Sequence, residues 1–216
     1  MAVEHDIIDD QIAYYRARAS EYDATFPSDD RFAPSADAIR AALRDFGPHG
    51  RVLEIAAGTG QWTGLLAELA DELIATDASP EMLELNRAKH PDRDITYEVA
   101  DAFGLPATHD FDVVFFGFFL SHVPPGRFDG FWDVVDGILA PGGRVFFVDE
   151  GRHFEWREDW IDEAAGVVRR PLTDGTVHRA VKVLWRPEDL EERLAGLGWV
   201  ASVKSEGPFY RGTAHR

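Results

Sequence analysis

Five apolar runs of strand length constrain the fold more than any other feature: "RVLEIAA" (51–57), "ELIATD" (72–77), "ITYEVA" (95–100), "FDVVFFGFF" (111–119) and "GRVFFVD" (143–149). Helical spacing fills three of the gaps between them, at 61–70, at 80–89 opened by "SPEM", and at 126–139 closed by "APGG". Strands that are apolar almost throughout must be covered on both faces, so the alternation predicts a parallel sheet between two layers of helices. Further helices are predicted at 7–20 and 34–46, joined by "DATFPSDDRFAP", and at 154–168 and 187–197, with strands at 177–185 and 199–205. At 216 residues and 45% hydrophobic content, with no internal repeat, the chain fits one domain.

Composition removes several classes of function. No apolar run reaches the roughly 18 residues that a membrane helix needs, and the first twenty residues carry acids where a signal peptide has a basic then apolar stretch. A cytoplasmic protein is expected. The absence of cysteine excludes disulfides, thiolate nucleophiles and sulfur-ligated metals, and no metal site is predicted. A net charge of −17 argues against nucleic acid or an anionic membrane surface as a partner.

Acids and glycines gather where strands end. Gly58 and Gly60, in "VLEIAAGTGQWT", fall at the turn from the first strand into a helix. That edge of an open α/β sheet is where free loop amides face a ligand, although glycines also mark ordinary turns. The next glycine is at 64, not 63, so the dinucleotide pattern G-x-G-x-x-G is only partly met. Glu54, inside the strand, suits a ligand bearing an ammonium or hydroxyls better than a phosphate. Asp77 ends the second strand, where a carboxylate can accept hydrogen bonds from ribose hydroxyls. Its alternative role, capping the helix that starts at Pro80, falls as well to Ser79. Asp101, in "VADAFGLP", ends the third strand, and as an isolated feature it reads first as a turn residue. Together the three strand ends describe an adenosine pocket.

The segments "VLEIAAGTGQWT", "ATDASPEML", "ADAFGLP", "FDVVFFGFFLSHVP" and "LAPGGRVFFVDE" follow one another in the order and spacing of the class I S-adenosylmethionine-dependent methyltransferases. The chain resembles that family over about residues 50–150. The resemblance implies a Rossmann-like α/β fold with a seven-stranded, mostly parallel sheet whose last strand is antiparallel. S-adenosylmethionine (SAM) would lie across the ends of strands one to four and leave as S-adenosylhomocysteine (SAH). It further implies that Gly58 and Gly60 admit the methionine part, Asp77 and Ala78 meet the ribose, and Met82 packs on the adenine. Asp101, Ala102 and Phe103 would surround the adenine, Gly117 and Phe118 would line the methionine end, and Glu54 would act through the cofactor's ammonium or a water. Ala56–Ala57, where many members have Gly or Cys, is expected to be a harmless departure. Residues 1–46 are similar to the family's N-terminal helical lid, part of the same domain as the methyltransferase body at 47–216. Within "YYRARASEYD", Tyr14, Arg18 and Tyr22 share one helix face and could close over the cofactor, or simply bury the tyrosines against the body.

Methyl transfer asks the protein to bring a nucleophile into line with an activated carbon and to exclude water. His122, in "FFLSHVPP", follows the fourth strand and is the candidate for contact with the acceptor. The segment 167–186 carries Arg169, Arg170, Arg179, Lys182 and Arg186 against Asp174 alone, a net +4 that leaves −21 for the rest. It reads either as an anion pocket or as a solvated hairpin balancing acidic neighbours. On the first reading Lys182 and Arg169 or Arg170 hold an anionic acceptor, and the expected reaction is O-methylation of a small phosphonate or carboxylate in specialised metabolism. Length, "SHVP" and the basic hairpin resemble the phosphonate O-methyltransferases of dehydrophos biosynthesis. The alternatives are an N- or C-methyltransferase of a neutral or aromatic metabolite, an enzyme using the cofactor's aminopropyl-carboxylate part, and a SAM-binding protein without turnover.

Overall fold

The computed structural model describes residues 2–22 and 33–216; most of the "DATFPSDDRFAP" linker lies outside them. Among the described residues, β1 (Arg51–Ile55), β2 (Glu72–Asp77), β3 (Thr96–Val99), β4 (Phe111–Gly117), β5 (Leu139–Glu150), β9 (Val200–Glu206) and β10 (Phe209–His215) form a sheet in the order β3-β2-β1-β4-β5-β10-β9. The first five strands pair in parallel, and β10 runs antiparallel to both β5 and β9.

β4 shows how sequence builds the layers. Along "FDVVFFG", Val113 and Phe115 join the core on one face, with Ile39 and Leu43 of α2 (Ala33–Phe46) and Leu66 of α3 (Thr63–Leu69). Val114 and Phe116 point the other way, toward Phe131, Trp132 and Val135 of α5 (Phe128–Ile138) and Leu190 and Leu194 of α6 (Pro187–Gly196). Side chains alternate across a strand, so a run that is apolar at every position has two faces to bury. Phe116 is fully buried and meets Phe131, Trp132 and Phe147 at ring-centroid distances of 5.3, 5.9 and 5.5 Å. Burying such a ring contributes roughly 1.5–3 kcal/mol, and edge or offset ring pairs add about 0.5–1.5 kcal/mol each.

Three expectations need correction after residue 150. The predicted helix at 154–168 is a 3-10 turn (Arg152–Arg157) followed by β6 (Trp160–Asp162) and β7 (Val167–Pro171). The predicted strand at 177–185 is β8 (Val177–Val181), so Lys182 lies just past its end. These three strands form a separate antiparallel sheet, β6-β7-β8, in which Val168 pairs with Ala180 and Trp160 with Val168. Cross-strand burial of Val168 and Ala180, both fully buried, outweighs the helical spacing of the surrounding residues. Finally, β10 completes the large sheet beyond the last strand read from the sequence. Its Gly212 hides it: a Cβ there would come within 2.1 Å of the Phe147 ring, so packing demands the residue that weakens a strand pattern.

The first helix, α1 (Ala2–Arg18), packs on β8 and covers the C-terminal edge of the parallel strands.

Candidate active site

A cleft opens at that edge, concave and mostly apolar as small-molecule sites are. Its floor comes from the ends of β1, β2 and β4 and the loop after β3; its roof is Ile8, Gln11, Ile12 and Tyr15 of α1, with Tyr22. Parallel strands all point their C-terminal ends the same way, so four short loops converge without any long-range contact between their side chains.

Asp77 sits in the floor with both oxygens held by backbone: Oδ2 accepts from Gly58 N–H at 2.9 Å and Oδ1 from Ser79 N–H at 2.8 Å. Burial raises its pKa, and these N–H bonds oppose the rise. Capping of α4 (Pro80–Lys89) falls to Ser79, whose Oγ accepts from Met82 N–H at 3.2 Å, so Asp77 keeps lone pairs for a ligand. Ala78, Met82, Asp101, Ala102 and Phe103 line one end of the cleft, and Gly117 and Phe118 the other. Gly58, at φ +54°, has nothing within 4 Å of the position of a Cβ, so its bare backbone faces open cleft. Ala56 and Phe118 also hold left-handed backbone, at φ +53° and +55°. That conformation costs an L-residue roughly 1–2 kcal/mol, so Ala56 is a strained position rather than a harmless departure.

Two predicted cofactor residues stand behind the cleft rather than in its lining. Gly60, at φ +92°, would bring a Cβ within 2.5 Å of Asn86 Oδ1 and 3.0 Å of His90 Nε2, so α4 demands this glycine. Glu54 is buried beneath the loop, where Thr63 Oγ1 donates to its Oε2 at 2.6 Å and Asn86 Nδ2 donates in turn to Thr63 Oγ1 at 2.9 Å. Burial pushes its carboxyl up to about 8, against the opposing Thr63 bond. Among the described residues, neither Glu54 nor Asp77 is paired with a cation.

The expected Tyr14–Arg18–Tyr22 face divides. Tyr22 lines the cleft, whereas Tyr14 is buried beside it against Tyr15 and His178, and the Arg18 guanidinium lies over both the Tyr14 and Tyr22 rings. The face that meets the cleft is Ile8, Gln11, Ile12 and Tyr15, spaced at three and four residues. That apolar-amphipathic stripe was present in the sequence; the aromatic and cationic residues beside it drew the expectation away.

His122, 8% exposed, stands at the acceptor end. Its Nδ1 meets Val181 O at 2.7 Å, and a carbonyl only accepts, so Nδ1 carries the proton. Nε2 is then the bare nitrogen, 2.9 Å from the Tyr15 hydroxyl, which donates to it. Burial first, then Lys182, Arg170 and Arg18, hold the imidazole pKa well below its usual range; the Val181 bond opposes them. The ring is neutral at pH 7. Burial drives the Tyr15 hydroxyl well up.

The predicted anion-binding cations are each matched by a carboxylate. Lys182, 3% exposed, donates to Glu150 Oε2 at 2.5 Å and to Ser121 Oγ at 3.1 Å. Arg170 meets Glu158 at 2.6 Å as an ion contact lacking hydrogen-bond alignment. Arg169 pairs with Asp159 at 3.2 Å and Arg179 with Asp10 at 2.5 Å. Arg169 lies on the exposed face of the small sheet, whereas Lys182 and Arg170 act on His122. Ile8, Gln11, Ile12, Tyr15 and Phe119 are among the lining residues outside the expected set, and of these Gln11 and Tyr15 carry polar groups.

Residues 52–143 match the model of a methyltransferase domain. The whole chain is similar to DhpI: 43% identical to the protein in its complex with SAM and HEP, covering 98% of this chain and 99% of that one at a TM-score of 0.86. The likeness to DhpI in complex with SAH is 41%, at the same TM-score. The chain spans 48% of an uncharacterised protein of Mycobacterium bovis, at 29% identity over 136 residues. It spans 39% of the demethylmenaquinone methyltransferase of Clavibacter sepedonicus, at 38% identity over 97 residues. No helix among the described residues is long and apolar enough to cross a membrane. With the parallel sheet, its antiparallel last strand and an end-to-end relative at this identity, the chain belongs to the class I S-adenosylmethionine-dependent methyltransferases.

Proposed function

We propose that the protein methylates an oxygen of a small anionic metabolite, a phosphonate or a carboxylate, with SAM as donor. One observation carries the reading: the cleft has opposite electrical character at its two ends. Near β1 and β2, Asp77 lines the cleft with no cation paired to it among the described residues, which suits a ligand bearing hydroxyls and a sulfonium. Near His122, the fields of Lys182 and Arg170 from the small-sheet segment and of Arg18 from α1 converge, which suits an anion. The likeness to DhpI, which binds SAM and HEP together, agrees with two ligands sharing one cleft.

SAM, when bound, supplies a methyl group already activated by its sulfonium. Asp77 accepts from the ribose hydroxyls, Met82, Ala102 and Phe103 enclose the adenine, and Gly58 lets backbone approach the methionine part. An ionised acceptor oxygen needs no base, so the protein's task is alignment. Arg170, whose 2.6 Å ion contact with Glu158 lacks hydrogen-bond alignment, is the cation assigned to the acceptor; Lys182, locked to Glu150 and Ser121, adds to the field. The neutral imidazole of His122, its Nδ1–H given to Val181 O and its Nε2 accepting from Tyr15, has no donor left for the nucleophile and acts by shaping the acceptor end and holding the Tyr15 hydroxyl. Helix α1 acts as the lid that excludes water, with Gln11 and Tyr15 on its inner face.

Product analysis with phosphonates, carboxylates, phenols and amines tests the acceptor class. With the true acceptor, Arg170→Ala should cost the transition state roughly 2–4 kcal/mol, as expected for a lost charge-assisted contact in a partly dry site. Wild-type turnover in Arg170→Ala removes the anion reading. Hydrogen exchange of 7–20 should slow when SAM binds; equal protection with and without it counts against a lid.

A second reading has its own observation. Tyr15, having donated to His122 Nε2, offers its oxygen as an acceptor, so a neutral O–H or N–H substrate could pass its proton through Tyr15 to His122. In that case turnover shows an acid limb well below the ordinary histidine range, and His122→Gln abolishes it.

A further inference from the structure

His122 is held by more than its own ring. Gln11 of α1, 6% exposed, donates from Nε2 to the His122 carbonyl at 3.1 Å, and its Oε1 accepts the Val181 N–H at 2.9 Å. The Val181 carbonyl in turn accepts His122 Nδ1–H at 2.7 Å. One side-chain amide thus closes a ring of three hydrogen bonds between α1, the turn Leu120–His122 and β8. Only a group that donates and accepts at once can make both of its bonds, and among uncharged side chains of this reach that is Gln. One turn further along α1, Tyr15 donates to the other nitrogen of the same imidazole. Docking of this helix face therefore sets the backbone, the tautomer and the free nitrogen of His122 together.

We infer that Gln11 is a positioning residue of the methyl-transfer site, fixing the His122 tautomer and coupling it to the seating of α1. The inference rests on His122 facing the acceptor. The charged groups around the ring are Lys182 and Arg170 from the small-sheet segment and Arg18 from α1, and beside Gln11 the Arg179–Asp10 pair. The turn itself is fixed from beneath by the Asp149 carboxylate, which accepts Ser121 N–H at 2.7 Å, and by the Val183 N–H bond to Ser121 O at 2.7 Å. Those contacts hold the turn's backbone; the Val181 carbonyl that takes the imidazole proton is tied to α1 through the bond from Val181 N–H to Gln11, and Tyr15 holds the other ring nitrogen.

Gln11→Met keeps the volume and removes both bonds, and Gln11→Glu bridges both partners only when its carboxyl is protonated. The Met variant should lose on the order of 10–100-fold in kcat, as small misplacements at a reacting centre do, with a much smaller change in SAM affinity. The Glu variant should recover turnover toward acid and lose it as pH rises through its own titration, a dependence the wild type lacks. Nitrogen-15 shifts of the His122 ring, assigned with His122→Gln, should show the Nδ1–H tautomer in the wild type and a mixture in Gln11→Met. A merely space-filling Gln11 would leave the tautomer and the pH profile unmoved, and that result overturns the inference. The tautomer measurement needs no acceptor, so it stands even if no phosphonate or carboxylate proves to be a substrate. Should Gln11→Met fail to fold, the pH profile of Gln11→Glu decides alone.

Discussion

The two ends of the cleft are built on different principles. At the cofactor end, Asp77 and Asp101 at strand ends are held by neighbouring backbone N–H groups and Glu54 by the Thr63 hydroxyl, and among the described residues neither Glu54 nor Asp77 is paired with a cation. At the acceptor end, groups arrive from α1, from the turn after β4 and from the small sheet, and their charges come in pairs: Lys182 with Glu150, Arg170 with Glu158, Arg179 with Asp10. A parallel sheet presents one ligand site through its own geometry. A second site has to be pinned on, and here buried polar contacts do the pinning. Charge removal should therefore damage the fold at the acceptor end and the binding of ligand at the cofactor end.

The largest effect is expected at Lys182. Lys182→Met leaves the Glu150 carboxylate and the Ser121 hydroxyl without their partner in a nearly dry site, and should cost about 3 kcal/mol of stability. Urea unfolding measures it; a loss below about 1 kcal/mol would break the contrast between the two ends. Asp77→Ala comes next, removing a charged acceptor from the ribose and weakening SAM binding by roughly 1.5–3 kcal/mol by calorimetry. Unchanged affinity in a folded variant takes Asp77 out of the site.

Glu54 sharpens the same contrast through pH. Its folded-state pKa is raised to about 8 from 4.5, so the folded chain keeps a proton that the unfolded chain releases. Stability must then fall as pH rises between 4.5 and 8, by up to about 1.4 kcal/mol per pH unit from this group. Glu54→Gln should remove that slope and match the wild type only at the acid end; parallel stability curves for the two proteins would show that Glu54 ionises freely. The smallest effect is at Ala56, where Ala56→Gly exchanges left-handed strain for backbone entropy and should stabilise the protein by about 0.5–1 kcal/mol in thermal melts. A lower melting temperature would mean the strain is absent.

What the sequence determined by itself is whatever depends on neighbours along the chain. Apolar periodicity set the parallel strands and their two-sided burial, and the dipeptide Ser79–Pro80 separated the helix cap from Asp77 at the strand end. The strand ends converge because parallel strands share a direction, so Gly58, Asp77 and Asp101 could be named as a group from their places along the chain, whereas Met82, Ala102 and Gly117 came from the family resemblance. Tertiary structure decided the rest, for a reason of distance. Gln11 and His122 are 111 residues apart, and Arg179 and Asp10 169, and no local pattern encodes such pairings. Helical spacing around 154–168 gave way to strands because pairing with β8 buries Val168 and Ala180. Gly60 looked like a ligand contact because the sequence cannot show that Asn86 occupies the space a Cβ would take. The excess of +4 in 167–186 was legible as a number; only the fold could show that carboxylates from α1, β5 and the segment before β6 had been brought to meet it.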